Sequence, residues 1–127
     1  MVATTQDAAL ILQLYELRRE PVLRQAREWF RRDFSATNRE ELAAQLADAD
    51  PERYFRMVTT YWEMASSFLV RGAVDQDLFL DNCGEALMVW RKVSPFVEDL
   101  RTARHNPRYL ANVEEVFRRA EARRART

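Results

Sequence analysis

The chain has 127 residues, 47 % of them hydrophobic and 31 % charged, with a formal net charge of zero. That length fits one domain able to build a core without disulfides or metals, and the charge balance excludes both a disordered chain and a global polyanion-binding surface. With only two glycines and four prolines, few turns are available, so long helices are favoured over a meander of strands.

The first helical stripe is Leu10, Leu14 and Leu17, with Ile11 beside it, in a segment from about Gln6 to Arg19. A second stripe follows at Val22, Leu23, Ala26, Trp29 and Phe30. Between them stands Pro21, which kinks or breaks a helix at a cost of about 3 kcal/mol. Ile11, Tyr15, Val22, Ala26 and Trp29 align on one continuous helix, so a single long helix is expected, kinked near Glu20–Pro21 and ending near Phe34. Thr37-Asn-Arg-Glu40 reads as a capping box opening a short helix with Leu42 and Leu46 inward.

Asp50-Pro51 marks the next start, with the aspartate as N-cap and proline at the first helical position. Tyr54, Val58, Tyr61, Ala65 and Phe68 then recur at helical spacing, widened by Phe55, Trp62 and Leu69, and Gly72 ends the helix. Asp75 caps the following helix, with Val74 and Phe79 as a hydrophobic staple and Phe79, Cys83, Ala86, Leu87 and Trp90 inward. Gly84 inside that helix costs up to about 1 kcal/mol against alanine, which close approach of a neighbouring helix would explain. Ser94-Pro95 kinks or restarts the chain, and Asn106-Pro107 opens the last helix, with Leu110, Val113 and Phe117 inward. The expected fold is all-α, an antiparallel bundle of four to six helices in a single domain over 1–127, with an arginine-rich tail that frays from about residue 120.

No catalytic constellation is visible. Cys83, the one cysteine, falls on an inward apolar face, and His105, the one histidine, sits at a helix junction as a cap or surface residue. Asp75, Asp77 and Asp81 fail as a calcium loop because Phe79 and Leu80 occupy the positions of an oxygen ligand and a glycine. There is no Glu-x-x-His pair and no glycine-rich phosphate loop, so neither a metal nor a cofactor is expected. Arg24, Arg27, Arg31 and Arg32 are interleaved with Glu20, Glu28 and Asp33 and read as a solvated face. The tail, with Arg118, Arg119, Arg123, Arg124 and Arg126, is less balanced and is the one place where phosphate contacts would be sought.

Glu63 lies in sequence among Tyr61, Trp62 and Phe68, yet its helical neighbours are Arg56, Thr59, Thr60, Ser66 and Ser67. Those small polar residues let another helix pack close. Glu63 is therefore expected to pair with an arginine from it, Arg24, Arg27, Arg91 or Arg101, with a depressed pKa. The candidate structural or pocket residues are Tyr61, Trp62, Glu63, Trp90, Arg91 and Arg101.

The series Tyr61-Trp62-Glu63-Met64, Arg71-Gly72, Asp75 to Phe79, Trp90, Pro95-Phe96 and Leu100-Arg101 resembles a small all-helical bacterial family of unknown function, over about Leu14 to Phe117. The resemblance implies an all-helical fold and no assigned activity. Some members of that family carry an N-terminal membrane segment. None is read here, since the first apolar run is broken by Gln13 and Glu16 and no stretch approaches the ~20 residues of a membrane span. The leading expectation is a cytoplasmic interaction or structural module that forms a homodimer. The alternative is a small-molecule-binding bundle with an aromatic pocket near Tyr61, Trp62 and Trp90, and the second alternative is weak arginine-mediated nucleic-acid binding.

Overall fold

A computed structural model describes residues 2–127, and among these it contains helices and turns but no strand. There are eight α-helices among the described residues, more than the four to six expected. They are α1 (Thr5–Leu17), α2 (Pro21–Arg32), α3 (Arg39–Gln45), α4 (Ala49–Val70), α5 (Gln76–Leu80), α6 (Gly84–Val93), α7 (Val97–Ala103) and α8 (Ala111–Ala125), with a 3₁₀ turn at Ser94–Phe96 between α6 and α7.

The long central α4 organises the core, packing against α2, α8 and α6, while α6 also packs on α8. Its inward face buries Tyr54, Phe55, Val58, Tyr61, Trp62, Ala65 and Leu69, the periodic series legible in the sequence. At one end Phe30, Phe34 and Phe55 pack ring against ring with Trp29 and Tyr54, centroids 5.0–6.2 Å apart. Offset and edge-on aromatic contacts of this kind add about 0.5–1.5 kcal/mol per pair beyond the area they bury.

The extra helices come from breaks where longer helices were expected. Residues 18–20 form a turn, so α1 and α2 are separate helices and not one kinked rod. Proline disfavours α-conformation in the residue before it. Glu20 accordingly sits at ψ 134°, and its carboxylate accepts the Leu23 N–H at 2.7 Å as the N-cap of α2. A second break falls at Asp81–Cys83, so α5 and α6 are distinct. Gly84 is the first residue of α6, and a β-carbon added there meets nothing within 4 Å, which overturns the close-approach reading.

Other boundaries shift by a few residues. Asn38, not Thr37, caps α3 and accepts the Glu41 N–H, and α4 begins at Ala49 so that Pro51 lies within its first turn. The last helix starts at Ala111, four residues beyond Pro107. Asp75 caps α5 as expected, through the Leu78 N–H at 3.0 Å. Gly72, at φ +78°, ends α4 with paired bonds from Ala73 N–H to the Phe68 carbonyl and from Gly72 N–H to the Leu69 carbonyl. His105, at φ +51°, closes α7 with the same pair of bonds.

Candidate functional site

The six residues singled out from the sequence fall into separate environments. Tyr61 and Trp62 lie together, rings 5.1 Å apart and nearly perpendicular, but they form a filled cluster and not an open pocket. Trp62 is 2 % exposed. The Arg18 guanidinium covers it at 5.0 Å from the ring and also lies 5.4 Å from the Tyr15 ring. Arg18 Nη1 donates to the Tyr61 hydroxyl at 3.1 Å, and that hydroxyl donates to the Leu14 carbonyl in the last turn of α1. Burial pushes the Tyr61 hydroxyl above the ordinary tyrosine pKa.

Behind this cluster, Glu85 in the first turn of α6 accepts the Trp62 indole N–H at 2.8 Å and is gripped by the Nε–Nη2 edge of Arg27 at 2.9–3.0 Å. Arg27 also donates to the Arg18 carbonyl at 3.1 Å, where α1 ends. The hydrogen bond and attraction of Glu85 hold the Arg27 guanidinium above its ordinary pKa despite partial burial. Trp90 stands apart, half-buried on α6, and Arg91 lies 5.5 Å over the Phe117 ring of α8. Arg101 joins α7 to α8, donating to the Tyr109 carbonyl at 2.9 Å, Glu98 at 2.9 Å and Glu114 at 3.0 Å.

Glu63 faces another helix, as expected, but no arginine pairs with it. Its carboxylate accepts the backbone N–H groups of Asn112 at 3.1 Å and Val113 at 3.0 Å, and the Asn112 side-chain amide at 3.0 Å. These two N–H groups are the second and third of α8, the donors that a local capping side chain would satisfy. The residue in the cap position, Leu110, has no side chain for the task and is held in the left-handed region at φ +57°. Glu63 thus caps α8 from across the helix interface. Desolvation outweighs those hydrogen bonds and raises its pKa above the ordinary glutamate value, the reverse of the shift expected for an arginine pair. The small residues around Glu63 do what the sequence suggested, since α8 packs there against α4.

Lys92, the lone lysine and one that sequence reasoning passed over, does the complementary work. Its ammonium donates to the carbonyls of Phe30, Arg31 and Phe34 at 2.7–3.0 Å and so caps the C-terminus of α2. Burial pulls its pKa below the ordinary lysine value. Cys83 is buried and its thiol is pushed up to about 11 by desolvation, so it is inert packing.

Of the several concave surfaces, two adjoin the residues described above. A groove of about 430 Å³ runs beside Glu63, lined by Thr60, Met64, Ser67, Arg108, Tyr109 and Asn112 among others. A concavity of about 410 Å³ lies at the α1–α2 corner, lined by Tyr15, Arg18, Arg19, Arg24 and Arg27. Around that corner Leu12, Tyr15, Leu17 and Val22 expose apolar surface, Leu12 to 64 % and Tyr15 to 54 %. The arginine-rich tail is helical to Ala125 and largely paired: Arg118 and Arg119 with Glu115, Arg123 with Asp81, and Arg124 with Glu121.

A family model described as "Domain of unknown function (DUF4760)" matches residues 3–120. The chain belongs to this family. The DUF4760 match takes in α1 to α7 and the larger part of α8, so the cross-helix caps and the α1–α2 corner both lie inside it. The description assigns DUF4760 no activity, in line with the resemblance to a family of unknown function. No curated protein and no solved structure matches the chain. No helix among the described residues is long and apolar enough to cross a membrane.

Proposed function

We propose that this DUF4760 chain is an interaction module that self-associates as a two-fold homodimer through the outer face of α1. The observation that carries the reading is the imbalance of α1. Of its thirteen residues only Leu14 is buried, while Leu12, Tyr15 and Leu17 are exposed. Ala8, Leu12 and Tyr15 are spaced i, i+4 and i+7 and lie on the outward side. A short helix with so little tertiary burial is marginal in water on its own. An apolar stripe left uncovered by its own chain marks an interaction surface. The same stripe on two copies is self-complementary, which is what the isologous contact of a two-fold dimer requires.

In this reading the chain acts as one domain in a reducing cytoplasm, which suits a single buried cysteine. The residues that looked most chemical in the sequence, Glu63, Arg101 and the Tyr61–Trp62 pair, hold helices together, and the partner-facing residues are the apolar ones of α1. Light scattering over a concentration series tests the proposal. A mass rising to twice the 15.0 kDa of one chain is expected, and a monomeric mass at high micromolar concentration contradicts it.

A further inference from the structure

We propose that the concavity at the α1–α2 corner, bounded by Tyr15, Arg18, Arg19, Arg24 and Arg27, binds a dianionic phosphoryl group. All its lining residues come from one chain, and of these Tyr15 is shared with the α1 face proposed as the dimer contact. Its charges do not balance internally. Arg27 is neutralised by Glu85, which its Nε and Nη2 groups hold at 2.9–3.0 Å. Arg19 reaches Glu16 at 3.5 Å. Arg18 and Arg24 have no carboxylate within ion-pair distance among the described residues. The acids that flank Arg24 at helical spacing are engaged elsewhere. Glu20 accepts the Leu23 N–H at 2.7 Å, and Glu28 holds Arg31 at 2.6 Å and Arg32 at 2.8 Å. Two guanidinium charges are left facing one concavity. A monoanion offsets one of them; a dianion offsets both.

Arg18 is also fixed in advance. Its guanidinium lies over the Tyr15 and Trp62 rings, 5.4 and 5.0 Å from their centres, is anchored through Nη1 to the Tyr61 hydroxyl at 3.1 Å, and its own carbonyl is held by Arg27. Guanidinium is planar and presents its N–H donors in a rigid fork that matches phosphate oxygens, and a fork already immobilised loses little entropy on binding. Tyr15 adds an aromatic wall and a hydroxyl. The volume of about 410 Å³ lies in the small-molecule range, so it admits a phosphate ester and not only a bare ion. Two sources share this chemistry: a soluble phosphomonoester and the headgroup of a phosphatidate lipid.

The test is calorimetric titration of the full chain with phenyl phosphate at about pH 7.5, above the second phosphate pKa of ~6, with flotation on phosphatidylcholine vesicles with and without phosphatidic acid alongside. One-to-one binding that weakens with salt is expected, and Arg24→Ala should lower affinity at least about tenfold. Arg24 is exposed and unpaired, so its removal leaves the fold intact. Arg18→Lys keeps the charge but not the fork and should also weaken binding, while Arg124→Ala, in the tail, should not. Binding to phosphatidate vesicles alone assigns the site to a lipid headgroup; binding to phenyl phosphate assigns it to a soluble ester. The proposal is overturned if neither probe binds, if Arg24→Ala binds like the parent, or if acetate competes as well as phosphate at equal concentration.

Discussion

Glu63 accepts three hydrogen bonds at the start of one helix and still titrates above the ordinary glutamate value of 4.5, because its half-buried position strips water from the carboxylate. A folded-state pKa raised above the unfolded one favours the protonated form in the fold. The titration-linked part of its stability is then full below 4.5 and is lost as pH rises through the folded value. Glu63→Ala should cost about 1–2 kcal/mol through the lost cap. The gap to the parent should be widest in acid and narrow toward neutral pH, and thermal melts at a series of pH values read it directly. A gap that instead collapses in acid would indicate a carboxylate stabilised by a cation. The sequence placed Glu63 correctly on a polar stripe facing another helix. It did not reveal the acceptor's partners, because backbone N–H groups carry no residue signature and nothing local marks Leu110 as a cap in left-handed conformation.

At the scale of the elements, some helix ends are held by side chains next to them and others from a distance. Thr4, Asn38 and Asp75 cap α1, α3 and α5 locally, and all three are residue types whose side chains serve that purpose. Those ends are legible in a sequence, although for α3 the choice between Thr37 and Asn38 fell one residue off. α2 and α8 are finished by Lys92 and Glu63, tens of residues away, and α1 by Arg27. Such partners depend on packing and cannot be read from spacing. The break at residues 18–20 was ambiguous for a related reason. Pro21 permits either a kink or a fresh start, and the Glu20 cap decides for the start. Lys92→Met keeps the aliphatic stem but strands the last carbonyls of α2. It should lower the stability by about 1–3 kcal/mol in urea denaturation without changing the helical circular dichroism of the native state. A variant as stable as the parent would show that water serves those carbonyls equally well.

For the whole molecule, the core around α4 was largely visible in the sequence, since its apolar series is long, regular and uninterrupted until Gly72. The α1–α2 corner was visible only in part. The apolar stripes on either side of Pro21 were legible, but not that the structure leaves Leu12, Tyr15, Leu17 and Val22 exposed around that corner. Arg24 was hidden by its own neighbours, because Glu20 and Glu28 stand at pairing distance in sequence and are spent on other partners in the fold. Glu63, Arg101, Tyr61 and Trp62 each bond to a neighbouring helix or its flanking turn, and the surfaces proposed for recognition are the outer face of α1 and the corner beside it. Sedimentation equilibrium on the parent, Leu12→Glu and Met64→Glu separates these roles, since Leu12 and Met64 are both exposed but lie on α1 and α4 respectively. The predicted result is a dimer for the parent and for Met64→Glu, and a 15.0 kDa monomer for Leu12→Glu with an unchanged far-ultraviolet spectrum. A parent that stays at 15.0 kDa at every concentration, or a Leu12→Glu variant that dimerises like the parent, would contradict the assignment of α1 as the interface.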